Sequence, residues 1–322
     1  MKTVHRFIAL LCCAAMLPCS AAWGQAWPAK PIQMIVPQGA GGSTDSLARL
    51  LAQALGDRLG QSVVVDNRAG AGGTLGVTTA AKAAPDGYTI LLGSSTTVAA
   101  NTFLYAGFAV DPLKEFVPLA LAGEAPFAIV VSAASPHKTL RDLVAAAKAA
   151  PGTLNYGAGT SSALLCTELF KLRAGIDLVK VPYKATPQAL TDLIGGQIQV
   201  VCEPLSSSLP NIRAGRLRAL AQTGLSRSQI APDIPTVAEA GIAGMEYTAW
   251  IGVFAPAGVP KDIVARLSST LTKIVNEPAI MEKIRGIGFE PRPGDAEATA
   301  ALHRAELVKF GHVVKAAGIK AE

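Results

Sequence analysis

The sequence predicts an α/β protein made of two doubly wound lobes around a central cleft. Short β-branched runs alternate with segments of helical period along most of the 322 residues, a pattern that packs as a parallel sheet covered by helices on both faces. Glycine clusters fall where strand gives way to helix, as tight turns require. Hydrophobic residues make up 50% of the chain and charged residues 16%, which supplies apolar area for two ordinary cores and excludes disorder. Glycine and proline are plentiful but aperiodic, so collagen-like repeats are excluded. The one long uncharged apolar run, residues 7–17, is too short to span a bilayer.

Ile32–Val36 reads as a strand from its β-branched content. Ser43–Leu59 reads as a helix, because Leu47, Leu50, Leu51, Leu55 and Leu59 recur at helical spacing. A short strand over 63–65, a small-residue helix over 74–83 and a strand over 88–92, entered through the turn Pro85-Asp86-Gly87, complete a βαβαβ unit. A second cycle follows 111–116. It has strands over 128–131, 154–156, 178–181, 198–202 and 217–223. Helices over 140–150, closed by Pro151-Gly152, over 161–171 and over 187–194, closed by Gly195-Gly196, lie between them. A proline-rich stretch from Pro232 to Pro260 leads to two amphipathic helices, 261–276 and 296–317, free to pack back on the first lobe. Residues 27–122 with 248–322 are therefore expected to form one discontinuous lobe, and 123–247 the inserted lobe.

Residues 1–26 read as an export signal. Lys2 and Arg6 give the positive start, Phe7 to Leu17 the apolar stretch, and Gly24-Gln25-Ala26 a small-x-small cleavage site before Trp27. Loss of Lys2 and Arg6, with no acid, takes the net charge from +6 to +4. That mild basicity draws small anions toward a cleft. It lacks the basic stripes and interleaved aromatics of a nucleic-acid surface, so no nucleic-acid partner is expected. Cys166 and Cys202 remain in the mature chain. They read as two buried apolar side chains, with a single disulfide as the alternative.

The most informative segment, Pro37 to Asp45, joins the first strand to the first helix. Its glycines let the backbone turn tightly, and the helix start offers unpaired N–H groups and a positive dipole end, a cradle for a carboxylate or phosphate. Ala40, Gly41 and Gly42 are the candidate donors. Ser43 or Thr44 is positioned to cap the helix, and Asp45 suits its first turn. A dinucleotide fingerprint is absent, since the third glycine and the distal acid are missing, and there is no P-loop. Three further loops follow strands and are rich in hydroxyls: 93–97 with Ser94, Ser95 and Thr96, 157–162 with Gly159, Thr160 and Ser161, and 183–186 with Thr186. Such residues ordinarily serve turns and caps, but their shared place at strand carboxyl ends makes them ligand candidates. Glu203, just past a strand, either meets a ligand group or pairs locally.

No catalytic constellation is present. His137, His303 and His312 read as solvated surface residues, at no metal-ligand spacing and near no nucleophile elbow. No catalytic residue, cofactor or metal is expected, and Trp250 reads as core.

Together these residues resemble the substrate-binding proteins of tripartite tricarboxylate transporters, the Bug family. The resemblance is carried by Trp27-Pro-x-Lys30-Pro31-Ile32, Val36-Pro37, Ala40-Gly41-Gly42-x-x-Asp45, Val65-x-Asn67-Arg68-x-Gly70-Ala71-Gly72-Gly73 and Pro85-Asp86-Gly87-Tyr88-Thr89. It continues in Val181-Pro182-Tyr183-Lys184, Gly215-Arg216-Leu217-Arg218-Ala219-Leu220-Ala221, Asp233-Ile234-Pro235-Thr236-x-x-Glu239-Ala240-Gly241 and Trp250-x-Gly252-x-x-Ala255-Pro256-Ala257-Gly258-x-Pro260. The resemblance implies a monomeric, periplasmic two-lobed receptor of the type II binding-protein kind. Such a receptor closes on a small organic carboxylate and delivers it to the permease subunits of a tripartite transporter. Carried onto this chain, the first-lobe grip is the Ala40-Gly41-Gly42 backbone, supported by Asp45 and joined by the loop from Ser94 to Thr97.

The second-lobe loop, Gly157 to Ser162, is shorter than is usual for the family, and Leu164 stands at the approximate place of a histidine. Glu203 stands near a common aspartate, and Ala185 replaces a glycine. The ligand's side-chain end is therefore expected to be read differently. A receptor presenting its cargo to a membrane sensor kinase and, further off, an exported hydrolase are the alternative readings.

Overall fold

The computed structural model describes residues 27–183 and 186–321; the export segment read in residues 1–26 lies outside them. The first lobe opens as the sequence predicts. Strand β1 (Ile32–Val36), helix α1 (Ser43–Leu59), β2 (Val63–Asn67), α2 (Thr74–Ala81) and β3 (Thr89–Ser94) form a unit with β1 parallel to both β2 and β3. Leu47, Leu51, Leu55 and Leu59 of α1 are buried against Ile32, Met34 and Val36. The carboxyl ends of the three strands point the loops after Val36, Asn67 and Ser94 to one side. After β3 the backbone coils through Thr96–Ala100 into α3 (Asn101–Leu104), and a short helix α4 (Pro112–Glu115) leads into the next strand.

The sheets are mixed rather than purely parallel. Strand β4 (Phe116–Ser132) is one 17-residue strand where the sequence suggested only a short strand over 128–131. Its first part lies between antiparallel β9 (Thr248–Pro256) and β10 (Glu290–Gly294). Its second part lies between antiparallel β7 (Val200–Pro204) and β8 (Leu217–Gln222). Partners change between Pro126, opposite Thr248, and Phe127, opposite Pro204. In the second group β5 (Asn155–Ala158) is parallel to β6 (Val179–Pro182) and β7, so the ends of these strands also face the crossing.

Helices α5 (Leu140–Ala149), α6 (Ser161–Ala174), α7 (Thr186–Ile194) and α8 (Leu205–Arg213) cover this sheet. Helices α9 (Lys261–Val275), α10 (Pro278–Ile287) and α11 (Ala296–Ala316) end the chain. Of these, α11 packs on β4, on the 96–100 segment and on α6, and so bridges the two groups of strands.

Polar contacts knit the crossing. Thr223 donates its hydroxyl to Tyr247 O at 2.5 Å, and its amide bonds Phe127 O at 2.9 Å. Glu124 accepts from Arg292 at 2.5 Å and from the Thr248 hydroxyl at 3.3 Å. Glu290 accepts from the Ser228 hydroxyl.

Two expectations are corrected here. Cys166 and Cys202 form a disulfide, with their Cα atoms 6.0 Å apart, joining α6 to β7. His303 is buried, and its Nε2 lies 2.7 Å from Val98 O. Since a carbonyl only accepts, that nitrogen carries the proton, and burial lowers the pKa of the ring. Instead of the solvated position expected for it, His303 sits in a buried stripe with Thr299, Glu306, Phe310 and Val313 at helical spacing. Trp250 packs in the core beside Phe254 and His303.

Candidate functional site

A cavity of about 540 Å³ opens where the loops of both strand groups meet, and it is floored by Ala125, Ala249 and Ile251. Three helix N-termini border it. Ser43 and Thr44 begin α1, Ser161 and Ser162 begin α6, and Ser206 and Ser207 stand in the first turn of α8. Helices α1 and α8 have no side-chain cap, with Gly42 and Pro204 at their cap positions. Their leading amides therefore keep free donors. On α6 the Thr160 hydroxyl takes the Ala163 amide at 3.1 Å, leaving the amides before it uncommitted to that cap. Each N-terminus also carries a partial positive charge. Among the described residues lining the cavity, Lys180 alone bears a formal charge, and it is positive. Such a wall attracts an anion.

The first Gly-rich loop is arranged differently from the expected cradle. Ala40, Gly41 and Gly42 are exposed and lie off the cavity wall, which is made here by Pro37, Gln38, Ser43 and Thr44. The Gly41 amide is already committed, donating to Asp45 Oδ2 at 3.0 Å, and Arg49 Nε donates to the same oxygen at 3.0 Å. Asp45 is buried, and the Arg49 guanidinium, followed by the Gly41 amide, holds its carboxyl below the usual range. Asp45 thus folds the loop over the helix start, and the open donors lie just beyond it in the first turn.

After β3, Ser94 and Thr97 cap one another: the Ser94 amide donates to Thr97 Oγ1 at 2.9 Å, and the Thr97 amide to Ser94 Oγ at 3.2 Å. Ser94, Thr96 and Thr97 line the cavity, whereas Ser95 is wholly buried off the wall. The Thr96 hydroxyl oxygen is itself buried, beside the fully buried hydroxyl of Tyr247, which does not line the cavity. Gly159, Thr160 and Ser161 also line the cavity.

Thr186 and Glu203 do not line it. The Thr186 hydroxyl donates to Glu203 Oε2 at 3.1 Å, and burial pushes the fully buried Glu203 carboxyl up to about 8. Strand alternation explains this placement: Cys202 turns toward α6 and its disulfide, so Glu203 turns to the opposite face of the sheet.

Tyr105, Lys180, Ser206, Ser207 and Phe289 are wall residues that sequence reasoning did not select, whereas Tyr183 opens the 183–186 loop that it did. Tyr105 and Phe289 come from segments without a motif, and Ser206 and Ser207 from a helix hidden behind Pro204. Lys180, beside the Val181-Pro182-Tyr183 run, is the one a motif signal could have reached. Among the described residues no histidine lines the cavity, and no group of His, Cys, Asp and Glu is arranged to hold a metal.

With this geometry, comparison with known proteins is informative. The tripartite tricarboxylate transporter family receptor pattern matches residues 47–319. Protein BugT of Bordetella pertussis is 38% identical over 297 residues, covering 91% of this chain and 91% of BugT. Among solved structures, Rpa4515 of R. palustris with adipate superposes with a TM-score of 0.83 at 35% identity, over 92% of this chain and 100% of that one. MatC of Rhodopseudomonas palustris with bound malate gives a TM-score of 0.77 at 30% identity, over 89% of this chain and 100% of that one.

Proposed function

The chain belongs to the family of tripartite tricarboxylate transporter receptors, the Bug-type solute-binding proteins of the periplasm, and on that premise we propose that its cleft captures a small organic carboxylate without transforming it. The observation that carries this reading is a cavity rimmed by helix N-termini, with Lys180 as its one formal charge among the described wall residues. The first turns of α1, α6 and α8 are the proposed donors to the carboxylate oxygens. Closure of residues 27–122 with 248–322 onto 123–247, about the crossing of β4 and β9, brings the first-lobe and second-lobe donors together. The closed receptor then hands its cargo to permease subunits in the membrane.

Adipate and malate, the ligands of the similar Rpa4515 and MatC, are the first acids to test. Calorimetric titration should give saturable binding of at least one of them, none of the neutral diamide of adipic acid, and no product by NMR after prolonged incubation. Lys180→Met removes the one formal charge among the described wall residues. A hydrogen bond between charged groups contributes about 1.5 kcal/mol at the lower end suited to an exposed side chain, so affinity should fall by roughly 10-fold. Stability should hold, because Lys180 is exposed. Equal binding of acid and diamide, or turnover of the acid, would sink the reading.

A further inference from the structure

Tyr105 spans the cleft. It lies at the end of α3 on the first lobe, and its hydroxyl is 3.3 Å from the hydroxyl of Ser161, the first residue of α6 on the second lobe. Its position is built from below by the second Gly-rich turn. Gly72 has φ +62, and a Cβ placed there would stand 2.7 Å from Tyr105 Cζ, so the bare glycine is what gives the ring its seat. Asn101, fully buried one turn before Tyr105, donates to Gly72 O at 3.0 Å and fixes the turn against the helix that carries the tyrosine. The ring therefore reaches across the cavity from a seat fixed on its own lobe, and its one hydroxyl partner among the described residues belongs to the other lobe.

We propose that Tyr105 is a cross-cleft latch, a positioning residue whose bond to Ser161 sets how long the closed form lasts and so how long cargo stays bound. This rests on the reading of the cleft as the cargo site, but the latch itself acts with the cleft empty or full. A tyrosine hydroxyl suits the task, because it spans the gap from a rigid ring and carries no charge to compete with an anion for the donors around it. Its bond forms only when the lobes meet, so removing it penalises the closed form and leaves the open one untouched.

The test reads closure directly. Exposed Gln53 on α1 and Lys148 on α5 are changed to cysteine and labelled with a dye pair, and single-molecule energy transfer gives the open-to-closed ratio, first without acid and then with adipate or malate. Tyr105→Phe and Ser161→Ala should each raise that ratio about 2- to 10-fold, the worth of one neutral hydrogen bond. The double variant should go no further than the larger single one, because both remove the same bond. In the presence of a bound acid, the dissociation rate should rise by a similar factor with association unchanged. A Tyr105→Phe distribution identical to that of the parent, or single effects that add in the double variant, would overturn the latch. If neither acid shifts the parent protein's distribution, the carboxylate reading falls instead, and the acid-free comparison still decides the latch.

Discussion

The first lobe contains two glycine-rich turns in equivalent places, each leading from a parallel strand into a helix, and they use glycine for opposite reasons. In the turn before α1, a Cβ added at Gly39 or Gly41 would meet nothing within 4 Å, and one at Gly42 would reach only Gly39 O, at 3.8 Å. In the turn before α2 the same atom would collide nearly everywhere. At Gly73 it would stand 2.8 Å from Thr97 Cγ2 and 3.0 Å from Pro37 O. At Gly76, in the first turn of α2 just after it, the atom would stand 2.7 Å from Pro37 Cα and 2.8 Å from Arg68 O. The second turn is packed solid and serves as the seat on which Pro37, Thr97 and Tyr105 rest. The first is bare on its outer side, and its shape comes from one buried carboxylate, Asp45. One motif thus builds a scaffold in one place and an open rim in the other.

The contrast is broken most severely at Gly76. Its neighbours are backbone atoms of β1's exit and of the loop after β2, which cannot swing aside as a side chain can. Gly76→Val should therefore cost about 3 kcal/mol, the upper end for overpacking, read as a fall in the urea midpoint at unchanged slope. If the variant is as stable as its parent, the second turn is not the rigid seat described.

Asp45→Ala tests the other turn at the point that shapes it. The change removes the acceptor of the Gly41 amide and of Arg49, and hydrogen bonds to a charged group are worth about 1.5–3 kcal/mol. We expect a loss near the lower end, about 1.5 kcal/mol, because Arg49 is half-exposed and regains water. The pH dependence has a definite sign. The carboxyl titrates below its ordinary 3.8 in the fold, so its contribution is present above that value and disappears as pH falls through the folded pKa. Parent and variant stabilities, measured by urea titration, should therefore converge on acidification below about pH 4.

How much of this was legible in the sequence differs by region for physical reasons. Ile32–Val36 and Ser43–Leu59 coincide with the expected bounds, because a β-branched strand, a Gly break and a leucine face at helical spacing each signal locally. The long strand β4 was hidden because Pro118, Gly123 and Pro126 interrupt its pattern; bulges in its pairing with β9 fall at Pro118 and Gly123, and Pro126 stands where its partner changes from β9 to β7. Helix α8 was missed because Pro204 and Pro210 read as breaks, although Pro210 lies inside it. That loops at strand ends border the cavity was legible. What each amide is already bonded to, such as Gly41 to Asp45, is a matter of coordinates. Tyr105 facing Ser161, 56 residues away, is brought about by the strand crossing, which no local pattern announces.

Gly72→Ala sharpens the contrast at smaller cost. A side chain at φ +62 carries left-handed strain of about 1 kcal/mol, and the added methyl displaces the Tyr105 ring. The fall in thermal midpoint should be modest, but the open-to-closed ratio should rise as in Tyr105→Phe. Loss of stability with closure unchanged would separate the glycine from the tyrosine it is said to seat.

Gly42→Ala should have the smallest effect on stability, for reasons that can be weighed term by term. The residue has φ −83 and ψ 171, an extended conformation that alanine adopts freely. Alanine is a poorer N-cap than glycine by several tenths of a kcal/mol, on the order of 0.5–1. It also restricts the unfolded chain, which favours the fold by about 0.4–1 kcal/mol at a compatible position. The two terms oppose each other at similar size, and the nearest atom, at 3.8 Å, adds no clash, so the urea midpoint should stay within experimental error. Binding can then be read without a folding effect. A drop in adipate or malate affinity at constant stability would extend the cargo's reach from the wall residues Ser43 and Thr44 to the bare outer face of the turn. Unchanged affinity would confine the cargo to the first turn of α1. A stability loss as large as that of Gly72→Ala would show that the first turn is packed after all, and the distinction between rim and seat would go with it.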